Sequence, residues 1–317
     1  MKMKKLLFTL LTMSALAIFV ACGNNDNGNI SSDTDNNNQE TIQVVATISI
    51  IADMVYQVAG DLVEIYTIIP IGEEPEEHDI LPADMMAVAN ADVIFYNGLN
   101  LEAGNEWFAD LMESTDMVAG VDYFRVTEGI TPFFLQTEGL EDYEDPHAWL
   151  DLSKGIVYIQ NIERVLSQHS PENADTFREN AQNFIAQLYA LHNEWVGRFD
   201  HIPASQRILV TSEGAFRYFA AAYGLYVAYI WELNAEEEGT PEQMLNLINI
   251  VNNSEVRSLF SESSVDSQYI EQISEETGVP VFDMLFTDSL SESDGVAGTY
   301  YEMMRFNLET IYAGLTR

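Results

Sequence analysis

SPENADTFRENAQNFIAQLYALHNEWVGRFD, residues 170–200, is the stretch on which the fold turns. Phe177, Phe184, Leu188, Leu191 and Trp195 recur at intervals of three, four or seven, the spacing of one apolar face of an α-helix. Ser170 suits an N-cap and Pro171 the first helical position. About thirty helical residues would span roughly 45 Å. In a chain of 317 residues, such a helix is long enough to run from one lobe to another.

On both sides of this helix the pattern alternates between strand and helix. Ahead of it, strands are expected at 42–48, 62–69 and 92–97. Helices are expected at 50–59, 83–89, 106–112 and 153–166. Between the second strand and the 83–89 helix runs a loop rich in acids and proline, 70–82. Behind the long helix, strands at 207–211, 226–231, 256–260 and 279–282 alternate with helices at 215–223, 242–252, 267–277 and 299–315. Alternation of this kind implies parallel βαβ units. The expected architecture is therefore α/β, with two lobes, each a mainly parallel sheet flanked by helices, joined by one long helix. The first lobe covers 41–169, the linking helix 170–203 and the second lobe 204–317. Ligands of open α/β sheets bind beyond the carboxyl ends of strands, so the cleft between the lobes is the expected site.

The first forty residues read differently. Lys2, Lys4 and Lys5 precede a mostly apolar run at 6–20, too short for a comfortable membrane span. It ends in Phe19-Val20-Ala21-Cys22-Gly23, around the single cysteine of the chain. This resembles a bacterial lipobox, which implies cleavage after Ala21 and acylation of Cys22. Residues 1–21 are then a signal peptide, and 22–40, rich in Asn, Ser and Gly, a disordered tether. With Cys22 acylated, no thiol remains for a disulfide or a cysteine metal site.

The chain carries a net charge of −38, from 51 acidic and 13 basic residues. Loss of the signal removes three lysines and no acid, leaving −41 and a single lysine, Lys154. Such a chain will not bind nucleic acid by neutralising phosphates. An acidic surface suits adaptation to high salt or high pH, and it also draws cations. It is compatible with a cation ligand but does not argue for one.

Three loop positions could carry chemistry, each just beyond an expected strand or before an expected helix. They are His147 in Asp145-Pro146-His147-Ala148-Trp149-Leu150, Glu213 in Thr211-Ser212-Glu213-Gly214, and Asp288 in Phe286-Thr287-Asp288-Ser289. Singly, each has an ordinary reading: a surface-loop histidine, a helix cap, a turn residue. Together they place one imidazole and two carboxylates where a cleft would form. That mixture of N and O donors suits Mn²⁺ or Zn²⁺.

These same segments resemble the metal-binding receptor lipoproteins of ABC importers, nearest to the surface-adhesin-type manganese receptors of Gram-positive bacteria. So do Ser261-Glu262-Ser263-Ser264-Val265-Asp266, Phe95-Tyr96-Asn97-Gly98-Leu99-Asn100-Leu101-Glu102, and the stretch from Trp231 to Pro241. The likeness runs from Ile42 to Leu315. It implies two α/β lobes on a rigid helix with a metal site in the cleft, and it sets His147, Glu213 and Asp288 at three of the family's four ligand positions. At the fourth, the family has Asp-Pro-His ahead of a Leu-Pro pair. This chain has Glu74-Pro75-Glu76-Glu77-His78-Asp79-Ile80-Leu81-Pro82. Register on Pro75 and Leu81-Pro82 puts Glu76 in the histidine's place, with His78 the alternative if the loop shifts.

The resemblance implies a receptor, not an enzyme. It would capture a divalent metal and deliver it to an ABC permease with its cytoplasmic ATPase. It would do so as a lipid-anchored monomer on the extracellular face of the membrane of a Gram-positive bacterium. Three carboxylates and one imidazole make a hard site, and 137–144 is acidic but lacks the histidines of zinc receptors. Both favour Mn²⁺ over Zn²⁺, with Fe²⁺ a third choice. The rival readings are an extracellular metalloenzyme and an adhesin or scaffold. His169, His192 and His201 are expected to be solvated, Asp266 and Glu232 to hydrogen-bond at most, and Trp149 and Trp231 to pack at the cleft edge.

Overall fold

The computed structural model describes residues 41–103, 106–233 and 239–317. The expected signal peptide, tether and acylated Cys22 lie outside the described residues, as does 234–238 of the Trp231–Pro241 stretch. Strand β1 (Ile42–Ala46) turns Val44, Val45 and Ala46 fully inward. It lies between β2 (Val63–Thr67) and β3 (Val93–Tyr96), and β4 (Tyr123–Arg125) completes a parallel sheet in the order β2-β1-β3-β4. The intervening helices are α1 (Ser49–Ala59), α2 (Pro82–Ala89) and α3 (Trp107–Ser114). Strand order reverses between β1 and β3, which makes the carboxyl ends of those strands the natural crevice of this sheet. The sequence pattern gave no sign of β4: its three residues, Tyr-Phe-Arg, are all half-buried and show no alternation.

Helix α4 (Leu152–His169) starts on Asp151, whose carboxylate accepts from the Ser153 amide at 2.8 Å and the Ser153 hydroxyl at 2.9 Å. The long helix, α5 (Ala174–Trp195), has 22 residues and spans about 33 Å, less than the expected 45 Å. Two local features shorten it. Pro171–Asn173 forms a separate 3-10 turn, with no side-chain cap from Ser170. At the other end Val196 leaves the helix and Gly197 takes φ 75°, a conformation that suits glycine. α5 lies along α1 and α4, where Asn180 donates to the Val58 carbonyl at 3.0 Å. Its far end meets the second half of the chain, with His192 3.2 Å from the Tyr223 hydroxyl and Trp195 edge-on to Tyr312.

The second half resumes with β5 (Ile208–Val210), α6 (Arg217–Tyr223), β6 (Tyr226–Ala228), α7 (Pro241–Asn252), β7 (Leu259–Glu262), α8 (Gln268–Thr277), β8 (Val281–Leu285) and α9 (Tyr300–Leu315). The expected single sheet is two parallel pairs, β5-β6 and β7-β8; β5 runs beside β7 without sharing a ladder with it. β7 begins three residues later than the 256–260 expectation because Val256 packs before the ladder starts. One apolar core extends from the first sheet through α4 and α5 to Phe216, Phe260, Leu285 and the inner face of α9 (Tyr300, Met303, Met304, Leu308, Ile311). A smaller core around Trp231, Leu247, Leu259 and Ile270 fills the second half. The described chain thus has parallel sheets flanked by helices in both halves, with the main core continuous across them.

Candidate metal site

Four loops converge at the carboxyl ends of the strands. The His147 loop is held by the first sheet: Asn97, immediately after β3, donates from Nδ2 to the Pro146 carbonyl at 3.1 Å. Asp145 fixes the ring, because its Oδ1 lies 3.0 Å from both the His147 amide and Nδ1. With Nδ1 committed to Asp145, Nε2 is the atom left to face an ion. Trp149 follows, fully buried and not at a cleft edge. Its Nε1 donates to the Thr287 carbonyl at 2.9 Å, tying the His147 loop to the residue before Asp288.

Glu213 leaves β5 in the turn before α6. Gly214 follows because a Cβ there would sit 2.8 Å from the Glu232 carbonyl oxygen. Asp288 follows β8, and Ser264 donates to its Oδ2 at 2.6 Å. His147 Nε2 stands 3.3 Å from Asp288 Oδ1 and 3.9 Å from Glu213 Oε1. One ligand atom from each of the three residues lies within 4.8 Å of the others. Donors about 2.1 Å from a common ion would be separated by roughly 3–4 Å, so little movement would seat one. All three side chains are buried, and His147 Nε2, Asp288 Oδ1 and both oxygens of Glu213 make no hydrogen bond. Buried polar atoms are ordinarily satisfied; these four form a donor set that a cation would satisfy.

The two candidates for the fourth position separate. Glu76 is buried, its Oε2 has no hydrogen bond, and its carboxylate feels the charges of Asp288 and His147. It stands just outside the tight triad. His78 is committed elsewhere. Its Nε2 lies 2.9 Å from Asp84 Oδ2, and its ring sits edge-on to Trp107. Asp84 in turn accepts from the Leu81 amide and the Tyr66 hydroxyl, both at 2.8 Å, at the start of α2. His78 therefore anchors the loop that carries Glu76, and Gly72 of the same loop donates to Ser289 Oγ at 3.1 Å.

Electrostatics agree with a site built for positive charge. Burial, with Asp288 close by, pushes Glu76 up to about 8. Burial also raises Glu213 well above the carboxylate range, against the pull of His147. Burial favours neutral His147, but the bond to Asp145, the Asp288 carboxylate 3.3 Å away and the other neighbouring carboxylates outweigh it and hold the ring well above its usual pKa. Burial would raise Asp288; the nearby His147 ring and the bond from Ser264 overcome it and keep it low. Burial of carboxylates without a counter-charge favours their neutral forms, so protons and a cation compete for Glu76 and Glu213.

Sequence reasoning missed several supporting residues. Asp145 orients His147, and its other oxygen lies 3.5 Å from Arg217. Arg217 Nη1 also donates to Glu232 Oε1 at 2.9 Å, while Glu232 Oε2 accepts from the Gln136 and Thr137 amides at 2.7 and 2.8 Å. Glu232 thus does hydrogen-bond, as expected, and helps pin the segment before the His147 loop. Asp266 is exposed and accepts from the Gln268 amide, at the start of α8. Trp231 is buried against Tyr269. His169 and His201 are exposed; His192 is half-buried on Tyr223. Asp145 stands two residues before His147 in the sequence, but its hold on the ring is visible only in the fold.

The chain matches the family described as zinc-uptake complex component A, periplasmic, over residues 44–314. It is 40% identical to a metal ABC transporter substrate-binding lipoprotein of Lactococcus lactis over all of this chain and 99% of the relative. It is 42% identical to the manganese ABC transporter substrate-binding lipoprotein PsaA of Streptococcus pneumoniae, over 99% of this chain and all of that one. Among solved structures, a Mn-bound periplasmic metal-binding protein of Candidatus Liberibacter asiaticus superposes with a TM-score of 0.75 at 32% identity, covering 86% of this chain and 98% of the other.

Proposed function

The chain belongs to the ZnuA family of metal-uptake components, and on that footing we propose that it is the substrate-binding lipoprotein of an ABC importer for a divalent transition metal. Manganese is the first choice and zinc the second. The observation that carries this reading is the buried cluster of unsatisfied donors, His147, Glu213 and Asp288, with Glu76 beside it. A dication is the one ligand class that satisfies an imidazole and several carboxylates at once in a dry site.

The proposed ligands are His147 through Nε2, Glu213, Asp288 and Glu76. One nitrogen and three carboxylates form a harder set than a histidine-rich one, and hard oxygen donors suit Mn²⁺ relative to Zn²⁺. Capture proceeds by exchange. The ion sheds water, the site sheds protons, and the loops of both halves close onto one charge. His147 and Glu76 come from the first half, Glu213 and Asp288 from the second, so occupancy is coupled to their relative position. That coupling gives a permease, with its ATPase, a way to distinguish loaded from empty receptor.

Residues 1–21 serve as the signal and Cys22 as the acylation point, with 22–40 as the tether. The lipoprotein names of the relatives support this, and no helix among the described residues is long and apolar enough to cross a membrane. The folded part then works as a monomer at the extracellular face of the membrane.

The test is metal analysis of protein purified without chelator, followed by titration of the stripped protein with Mn²⁺ and Zn²⁺. One equivalent of bound metal is expected. Absence of binding to either ion would refute the proposal.

A further inference from the structure

Glu262 and Glu102 do the same thing at the ends of different strands. Glu102, buried, accepts from the Asn97 amide at 2.7 Å and the Gly98 amide at 2.9 Å, just beyond β3. Glu262, 3% exposed at the end of β7, accepts from the Ser212 amide at 2.8 Å and the Glu213 amide at 3.2 Å, just beyond β5. Each carboxylate clamps two consecutive peptide N–H groups. Glu102 has the Thr47 hydroxyl as a third donor. Glu262 shows only the two amides as hydrogen-bond partners, and it sits beside the buried carboxylates of Glu213 and Asp288.

That placement is costly. A fourth carboxylate near a site that already contains Glu76, Glu213 and Asp288 adds repulsion in the metal-free molecule. What it supplies is position and field. Backbone pairing holds the turn that carries Glu213 on one side, where the Ser212 carbonyl accepts from the Ile230 and Trp231 amides at 2.8 and 3.2 Å; on the other side β5 and β7 share no ladder where they meet. The Glu262 side chain crosses that seam and holds the peptide of Glu213 itself. Its charge is felt at Asp288 and His147.

We infer that Glu262 is a positioning residue for metal capture: it fixes the Glu213 carboxylate through the backbone and supplies negative field without touching the ion. The inference rests on the metal-receptor reading above. The effect specific to this role is a loss of metal affinity in protein that remains folded, which a purely structural residue would not produce.

The test uses the full chain in detergent, stripped of metal and titrated with Mn²⁺. Glu262→Gln should lower Mn²⁺ affinity about ten- to a hundredfold at unchanged one-to-one stoichiometry, the range for groups that orient a ligand. Metal-free Glu262→Gln should melt somewhat lower than the wild type but remain folded, because the Gln oxygen can accept from only one of the two peptide N–H groups, so affinity is read on folded protein. Glu102→Gln, the same lesion at the other clamp, should change affinity far less. Glu262→Asp keeps the charge but shortens the reach and should also bind weakly. Wild-type affinity in Glu262→Gln, an equal loss in Glu102→Gln, or full affinity in Glu262→Asp would each overturn the inference. Failure of the wild type to bind metal would instead bring down the receptor reading, and this inference with it.

Discussion

Glu76→Gln keeps the size of the side chain and removes its ability to exchange a proton, which makes it the sharpest probe of the fourth ligand. Burial and the nearby Asp288 charge push Glu76 up to about 8. At pH 6 the metal-free protein therefore holds a proton on this carboxyl, and an arriving ion must displace it. A group with that pKa is about half deprotonated at pH 8 and about 1% deprotonated at pH 6. Its share of the pH dependence of affinity is thus roughly fiftyfold across that interval, with affinity rising as pH rises. Glu213 and His147, both held above their usual values, act in the same direction. The difference between wild type and Glu76→Gln isolates the share of Glu76. Competition with a fluorescent chelator at pH 6, 7 and 8 should show weaker Mn²⁺ binding in Glu76→Gln and a flatter profile. His78→Ala should differ in both respects. It removes the partner 2.9 Å from Asp84 and loosens the loop that carries Glu76, so it should cost about 1–3 kcal/mol of stability and weaken metal binding less than Glu76→Gln, with the wild-type pH profile kept. Parallel pH profiles with equal affinities, or a metal defect confined to His78→Ala, would refute the assignment of Glu76.

Asp145→Asn should weaken metal binding about ten- to a hundredfold without changing stoichiometry, since an amide holds the His147 ring less firmly than a carboxylate; calorimetric titration reads this directly, and wild-type affinity would contradict it. Arg217→Ala removes the positive charge shared by Asp145 and Glu232, both buried but each still held by other donors, and should cost about 1–3 kcal/mol in urea unfolding. It should also expose the 133–144 segment to proteolysis, because Arg217 Nη2 donates to the Phe134 carbonyl at 2.7 Å. In the metal-free protein Glu76 and Glu262 are raised to about 8 and Glu102 to about 7, in each case chiefly by burial. Between about pH 5 and pH 8 the unfolded chain releases protons that the folded chain retains, so stability should fall as pH rises. A melting temperature that climbs over that interval would refute this. Saturating Mn²⁺, at a hundred times its dissociation constant, should add about 2.7 kcal/mol of stability; an unchanged melting temperature would refute the site.

Much was legible in the sequence because it was local or periodic. The apolar spacing of Phe177, Phe184, Leu188, Leu191 and Trp195 identified α5, and all five residues are buried. Among the described residues the pattern located every strand but β4, whose Tyr-Phe-Arg is half-buried throughout and carries no run of β-branched residues. The ends of α5 were misjudged for a different reason. A run of helix-compatible residues does not reveal that Pro171–Asn173 forms its own turn or that Gly197 turns left-handed.

The site divides along the same line. Residue type and position, beyond an expected strand or before an expected helix, drew attention to His147, Glu213 and Asp288, and the family resemblance set them at ligand positions. The choice between Glu76 and His78 was beyond the sequence. The two are separated by one residue, and direction in a loop is set by partners far along the chain or across it. Asp84 and Trp107 capture His78, and Trp107 Nε1 also holds the Pro75 carbonyl at 2.9 Å, which leaves Glu76 facing the cluster. Asp145, Arg217 and Glu262 were invisible for the same reason. Chain order determined which residues could serve as ligands. Contacts between residues tens of positions apart decided which way they point, because burying a charged group requires partners that only the closed fold brings within reach.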